Sequence, residues 1–456
     1  MSSAPGHPPT AFEVHTATDR VAMLEAIGAA SLDELFAAIP AAVRLDRPLE
    51  LAGPLAEWEL ERHMRALASA NATTLTHMSF LGGGAYEHHV PAVVDAIASR
   101  GEFLTAYTPY QPEMSQGLLR ILHDFQILMG RVLGLPAVNC SVYDGATAVA
   151  EAAWMACSAT GRRTVVVTGA VWRDVDNVLA TYMEGRGVVV RHVRPDATTG
   201  RVDPEAVEPA LASDDVAAVI VQSPNALGVF EDVPALAAVA HRHGCLLVAS
   251  GDPLACGLVA SPGACGADIA ACEAQSLGLP LSAGGPYLGV IATTHERAGL
   301  LPGRVVGVCQ DIRGDEALAL VAEEREQHVS RDRATSHICS NQAWLALRVA
   351  IHLAWLGEHG FTRLAALCAT KARAFRDRLC AIPGVAPAVT GEFFHEFLLH
   401  MPVPVGPLVA RLRERGVFAG LPLEGDRLLV SVTETKSQAM LDRAAEAFEA
   451  CIEEAR

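Results

Sequence analysis

Three short segments carry side chains that could meet at one chemical centre: Gln222-Ser223-Pro224-Asn225, Ser250-Gly251-Asp252-Pro253 and Glu273-Ala274-Gln275-Ser276. Each follows an apolar, strand-like run, and in an open α/β sheet ligands gather outside the carboxyl ends of the strands. A fourth segment, Asp144-Gly145-Ala146-Thr147-Ala148, opens the helical run AVAEAAWMACSA. Backbone N–H groups at a helix N-terminus, with the Thr147 hydroxyl, suit a phosphate. Each segment also has a plainer reading. Small residues before a helix can simply cap it, and Asp252 before Pro253 can form an Asx turn. Tyr107 and Tyr110, in the stiff loop TAYTPYQPE, either face a ligand or anchor the loop on backbone carbonyls. The run Arg325-Glu326-Gln327-His328-x-x-Arg331 reads as a solvated helix face.

An Asp at one strand end and a Lys one strand later is how many pyridoxal phosphate enzymes hold the ring nitrogen and the aldehyde. Asp252 is present, but the place of the lysine falls at Gln275 or a neighbour. Only two lysines exist, Lys371 and Lys436; the other basic residues are arginines, which stay protonated and form no Schiff base. No metal site is expected. His88-His89 and His241-x-His243 do not face together on a strand or a helix, and Cys256, Cys265 and Cys272 lack ligand spacing. The cysteines read as reduced, mostly buried small residues.

The elements that must position these residues follow from the pattern. The chain has 456 residues, 51% hydrophobic and 19% charged, which is enough for two domains and a large core. Residues 1–70 read as a helical arm: ATDRVAMLEAIGA, then SLDELFAAIP with Ser31 as N-cap and Pro40 as stop, then PLAEWELERHMRALASAN. The glycines Gly82 to Gly84 mark an irregular turn. Residues 71–320 alternate helical patterns with the strands TVVVTG, VVVRHV, VAAVIVQSP, LLVASGDP, DIAACEAQ and YLGVIATT, which predicts a mainly parallel α/β sheet buried on both faces. Residues 321–456 predict a smaller α+β domain with two long helices and strands near EFFHEFLLHMP and RLLVSVTE. A net charge of −17 opposes binding to nucleic acid or an anionic membrane surface. No apolar stretch approaches the roughly 20 residues of a membrane span, and MSSAPGHPPT lacks signal-peptide character, so a cytoplasmic protein is expected.

The stretches AIGAASLDELFAAIP, PLAEWELERHMRALA, SFLGGGAYEHHVPAVVDAIASRGEFLTAYTPYQPEMSQG, SVYDGATAVAEAAWMA, AQSLGLPLSAGGPYLG, LPGRVVG and REQHVSRDRATSHICSNQA resemble a known family. It is the glycine cleavage system P-protein, glycine dehydrogenase (decarboxylating), and within it the α chain, or subunit 1, of the two-chain bacterial form. The match runs in family order from about residue 15 to the end.

The resemblance implies the fold of type I pyridoxal phosphate enzymes, an α2β2 assembly, and a Schiff-base lysine on the β chain, with Gln275 at the equivalent place here. Pyridoxal phosphate is then bound covalently by the partner chain. The implied reaction is decarboxylation of glycine, a small amino acid, with transfer of the aminomethyl group to the lipoyl arm of the H-protein. Because such active sites lie between similar subunits, Tyr107, Thr108, Tyr110, Gln111, Glu113, Arg331, Thr335 and Ser336 become candidates for a cofactor-facing interface. Gly145, Thr147, Asp252 and Gln275 become a vestigial pocket. Family α chains usually read GEGQSLG where this chain has Cys272-Glu273-Ala274-Gln275-Ser276-Leu277-Gly278. His337 stands where Asn is usual, and Gly251 replaces the residue common before the Asp-Pro pair. These departures leave room for a paralogue acting on another amino acid. Two further readings stand beside this one: a non-catalytic scaffold subunit, and a self-sufficient enzyme such as an aminotransferase, which would need a lysine that is not there.

Overall fold

The computed structural model describes residues 14–45, 47, 49–106 and 108–456, and divides by its internal contacts into one unit ending at Asn71 and another beginning at Ala72. The first unit is helical, with helices Ala17–Ile27, Leu32–Leu35 and Glu57–Ser69. Thr16 and Asp19 form a capping box on the first helix, and Ser31 accepts from Glu34 N–H at the start of the second. That second helix stops at Leu35, a turn before Pro40. No described residue of this arm is buried; Trp58, Leu60, Met64 and Leu67 are all exposed.

The second unit is built on a seven-stranded sheet. Its strands are β1 (Ala137–Val138), β2 (Thr164–Thr168), β3 (Val189–Val193), β4 (Val216–Gln222), β5 (Leu246–Gly251), β6 (Ile269–Glu273) and β7 (Gly289–Thr293). The spatial order is β1-β7-β6-β5-β4-β2-β3. The neighbours from β3 through β6 pair in parallel, and β7 runs antiparallel to both β6 and β1. The sheet expected to be mainly parallel therefore carries one reversed strand.

Because successive side chains alternate across a strand, Val165 and Val167 enter one core with the helix Gly145–Thr160, while Val166 enters another with the helix Val233–Arg242. Burial on both faces explains why β2, β4 and β7 are continuous apolar runs. The edge strand β3 differs: its VVRHV sequence is largely exposed and carries the charge that discourages pairing with another chain.

The smaller sheet is antiparallel, in the order Ala386–Pro387, Glu396–His400, Arg427–Ser431 and Leu421–Leu423, backed by helices Val405–Glu414 and Gln438–Glu453. The run Ala343–Cys380 is one long helix broken at Gly357, where φ is 60°; this break is the gap between the two helices expected from sequence. Its early residues pack in the large core, and Ala372, Phe375 and Leu379 pack in the small one. The small core also takes in a segment from well before residue 320. Met78–Ser79 pairs in parallel with Val417–Phe418, and Phe80 is part of the small core. A hairpin, Val306–Gln310 with Glu316–Leu320, was not foreseen. All eleven cysteines are free. Among the described residues no helix is long and apolar enough to cross a membrane.

Candidate functional site

A cavity of about 430 Å³ opens at the carboxyl ends of β4, β5 and β6 and is lined by Gly82 to Gly84, Tyr86, Asp144, Gly145, Gln222, Ser250 to Asp252, Glu273, His395 and Glu396, among others. The three strand-end loops and the 145–160 helix thus converge as the strand order predicts. Two glycines make the approach possible. A Cβ on Gly145 would lie 2.7 Å from Glu273 Cβ, and one on Gly251, at φ 150°, would lie 2.2 Å from the Ser223 carbonyl. Gly251 is therefore required by the backbone here.

Gln275 does not line this cavity. It is 1% exposed, and its amide is saturated: Oε1 accepts from Tyr86 N–H at 2.8 Å, and Nε2 donates to Tyr86 O at 3.0 Å and Leu279 O at 2.9 Å. The amide clamps the 80s segment onto the end of β6. Thr147 is buried behind the cavity wall, its N–H capped by the Asp144 carboxylate at 2.7 Å.

Two N–H groups of the helix N-terminus that sequence offered to a phosphate, those of Gly145 and Thr147, are already met from within the chain. Glu273 Oε2 accepts from Gly145 N–H at 2.9 Å, and Oε1 accepts from Gln275 N–H at 3.0 Å and Leu288 N–H at 2.9 Å. The Glu273 carboxyl group therefore sits at the helix N-terminus that the sequence offered to a phosphate, with the Asp144 carboxylate beside it. Burial still raises Glu273 to about 7, against the lowering effect of the Leu288, Gly145 and Gln275 N–H groups.

Pyridoxal phosphate does not fit this pocket. Glu273 occupies the helix N-terminus, the place of the amine is a buried amide, and among the described residues no lysine or arginine lines the cavity. Lys436 is 1% exposed and donates to Glu87 at 2.7 Å, and Lys371 donates to the Glu434 carbonyl at 2.6 Å. Both ammonium groups are tied up in the small domain.

Asp252 does cap the turn after β5, accepting from Leu254 N–H at 2.9 Å, but it also accepts from Ser276 Oγ at 2.6 Å and pairs with His395 Nε2 at 2.9 Å. Burial alone would raise its pKa; the hydrogen bond and charge of His395, the charge of His88 and the Ser276 hydroxyl outweigh it and hold the carboxyl below its ordinary value. Beside it the Tyr86 hydroxyl donates to Glu396 Oε2 at 3.1 Å, and Gly83 N–H donates to Oε1 at 2.9 Å. Burial pushes Glu396 up to about 8.

Of the interface candidates, Thr108 and Tyr110 line a second cavity of about 380 Å³ together with Arg304, Asn341 and Trp344, among others, whereas Gln111, Glu113, Arg331, Thr335 and Ser336 do not line it. Tyr107 lies outside the described residues. The Tyr110 hydroxyl donates to Asn341, and the Arg304 guanidinium sits 5.5 Å over the Tyr110 ring. Gln111 and Glu113 are exposed on the same loop, and Arg331 is exposed at φ 52°. Ser336 is fully buried, its Oγ accepting from Gly303 N–H at 2.9 Å, and the Thr335 N–H donates to Arg325 O. Ser336 is therefore an internal brace of its segment.

The solvated face expected for the run beginning at Arg325 is found at Gln327, His328 and Arg331, which are exposed, but not at its first two residues. Arg325 is 4% and Glu326 3% exposed. Arg325 Nη2 donates to Gly303 O at 3.1 Å, and Glu326 pairs with Arg304 at 3.0 Å. Arg304 thereby joins the Tyr110 loop to the 325–336 segment. Sequence reading passed over it, although it lies in the stretch LPGRVVG.

The family model described as glycine cleavage system P-protein matches residues 12–448. "Probable glycine dehydrogenase (decarboxylating) subunit 1" of Chlorobium luteolum is 44% identical over 442 residues, covering 96% of this chain and 99% of that one. A crystal structure of glycine decarboxylase (P-protein) of the glycine cleavage system, in inhibitor-bound form, superposes with a TM-score of 0.87 at 38% identity, covering 97% of this chain and all of that one. Sphingosine-1-phosphate lyase of Burkholderia pseudomallei, at 15% identity and a TM-score of 0.65, covers 91% and 94% and shows the fold alone, that of the type I pyridoxal phosphate-dependent transferases.

Proposed function

Because the chain belongs to the glycine cleavage system P-protein family, as a subunit 1 of glycine dehydrogenase (decarboxylating), we propose that it works on a cofactor carried by the companion subunit 2 and is inactive alone. In this reading the two subunits form an α2β2 assembly in which subunit 2 holds pyridoxal phosphate on its own lysine. Glycine loses its carboxyl group there, and the aminomethyl group passes to the lipoyl arm of the H-protein. The observation that carries the reading is the Glu273 carboxylate on the Gly145 N–H, together with the amide of Gln275 where an amine would be needed.

This chain's contribution is then positional. The loop from Thr108 to Glu113 is stiffened by Tyr110 on Asn341 and Arg304, and the segment that presents Arg331 is braced by Ser336 and the buried Arg325 and Glu326. Such bracing holds polar side chains at a shared interface with little loss of rotamer freedom on binding. Arg331, exposed and cationic, suits a carboxylate or a phosphate presented by the partner's site.

In the complex assembled with subunit 2, Arg331→Ala should lower glycine decarboxylation at least tenfold while size-exclusion chromatography shows an intact assembly. Unchanged turnover in an intact assembly would instead support a scaffold role for this face. Arg331→Lys, which keeps charge but loses the bidentate fork, should fall between the two.

A further inference from the structure

His88, Asp252 and His395 come from three distant parts of the chain and meet at the cavity wall. One ring nitrogen of each histidine and one carboxylate oxygen of Asp252 lie within 4.8 Å of one another. The group is buried: the His88 and His395 side chains are each 2% exposed and that of Asp252 9%. Asp252 and His395 line the cavity, which gives the group a path from solvent.

His88 Nδ1 is held by Glu434 Oε2 at 2.8 Å, and Glu434 Oε1 is itself fixed by His89 N–H at 2.6 Å. A carboxylate on the far nitrogen sets both the orientation and the tautomer of an imidazole, and is how ligating histidines are usually held. Nε2 is then the nitrogen left with a lone pair. Among the described residues, neither His88 Nε2 nor His395 Nδ1 has a hydrogen-bond partner, an uncommon state for buried polar atoms. The rest of the wall includes the carboxylates of Asp144 and Asp174 and, among the described residues, no lysine or arginine, a field that draws cations and repels phosphates.

We propose that His88, Asp252 and His395 form a binding site for a divalent transition-metal ion of the zinc type, with a fourth position facing the cavity. Two imidazole nitrogens and one carboxylate are a donor set for zinc, cobalt or nickel; magnesium and calcium take oxygen ligands. On binding, the proton that His395 Nε2 shares with Asp252 Oδ2 passes to the unpartnered Nδ1, and Nε2 becomes a ligand. The bound ion ties the turn after β5 to the strand Glu396–His400 of the small domain and to the segment that walls the cavity. Sequence spacing could not suggest it, because neighbouring histidines were the only pairs it could test.

The full chain, stripped with chelator, is titrated with Co²⁺ alone and followed by visible absorption, with elemental analysis after desalting. One equivalent per chain is expected, with d–d bands in the visible, displacement by Zn²⁺ and a raised thermal midpoint. Binding should weaken at least tenfold in His395→Asn and in His88→Gln, and persist in His241→Gln, whose imidazole pairs with Asp268 away from the cavity. Circular dichroism checks that each variant is folded, and His395→Asn alone decides the matter if His88→Gln is not. Absence of a bound equivalent in the unmutated chain would overturn the proposal, as would unaltered binding in His395→Asn. A thiolate-to-cobalt band abolished by Cys368→Ser would also overturn it, by placing the ion on His88, Cys368 and Glu434 instead.

Discussion

Gly228→Ala should cost roughly 3 kcal/mol or more of unfolding free energy, enough to leave much of a marginally stable chain unfolded. Gly228 sits at φ 82°, and a Cβ built there lies 1.9 Å from the backbone carbonyl oxygen of Glu396. The obstacle is main chain, so no side-chain rotation relieves it. The same junction carries the large and small domains: Phe394 N–H donates to Gly228 O, Phe230 N–H donates to Glu392 O at 2.8 Å, and Val229 bridges to Phe393. Any shift that admits the methyl group breaks these contacts and opens the cavity wall at Glu396. Urea denaturation followed by far-UV circular dichroism measures the effect. Gly185→Ala, where φ is −64° and nothing lies within 4 Å, serves as the control and should stay within about 0.5 kcal/mol. A Gly228→Ala chain as stable as that control would contradict the packing described.

Glu273→Ala should destabilise the chain by on the order of 3 kcal/mol or more, because it strands the N–H groups of Gly145, Gln275 and Leu288, and an unmet buried donor costs about 1–3 kcal/mol. The variant should also gain a property the parent lacks. With the carboxylate gone, the helix N-terminus is open to an anion, so millimolar inorganic phosphate should raise the thermal midpoint of the variant and leave the parent unmoved. The sign of the pH dependence follows from burial. The folded value of about 7 lies above the ordinary 4.5. The contribution of Glu273 is therefore full below about pH 4.5 and is lost as pH rises through 7. The stability gap between parent and variant should narrow from pH 5 to pH 8. Phosphate that stabilised both chains equally would mean that the carboxylate does not fill the anion position.

Most strands of the large sheet were legible because they are apolar runs closed by Gly, Pro or Asp, a pattern that burial on both faces enforces locally; the two-residue β1 and the partly exposed hairpin Val306–Gln310 with Glu316–Leu320 lack it. The Asp144 cap and the break between the two long helices were legible for the same reason, since their causes lie within a few residues. The absence of a suitable lysine is a property of composition, and it survives folding: both lysines have partners in the small domain. What sequence could not give is chemistry that depends on who meets whom across the chain. Glu273 looked like one of several polar residues after a strand; its role appears only when β6 brings it against a helix that starts at Gly145. Arg325 and Glu326 read as solvated because charge is usually solvated, and nothing nearby announced that Arg304 and the Gly303 carbonyl would bury them. Ser336, grouped with the exposed Arg331 by proximity, points inward to Gly303. His88, Asp252 and His395 share no spacing at all.

The central claim is that this chain has no amine placed to tether an aldehyde cofactor and that its companion must provide it. The most direct measurement is borohydride reduction in the presence of pyridoxal phosphate, on this chain alone and on the complex with subunit 2, with the pyridoxyl group mapped by peptide mass spectrometry and glycine decarboxylation assayed in the same preparations. The expected result is a pyridoxyl-lysine on the partner only, and turnover in the complex only. Pyridoxyl on Lys371 or Lys436, accompanied by decarboxylation from the chain alone, would contradict it.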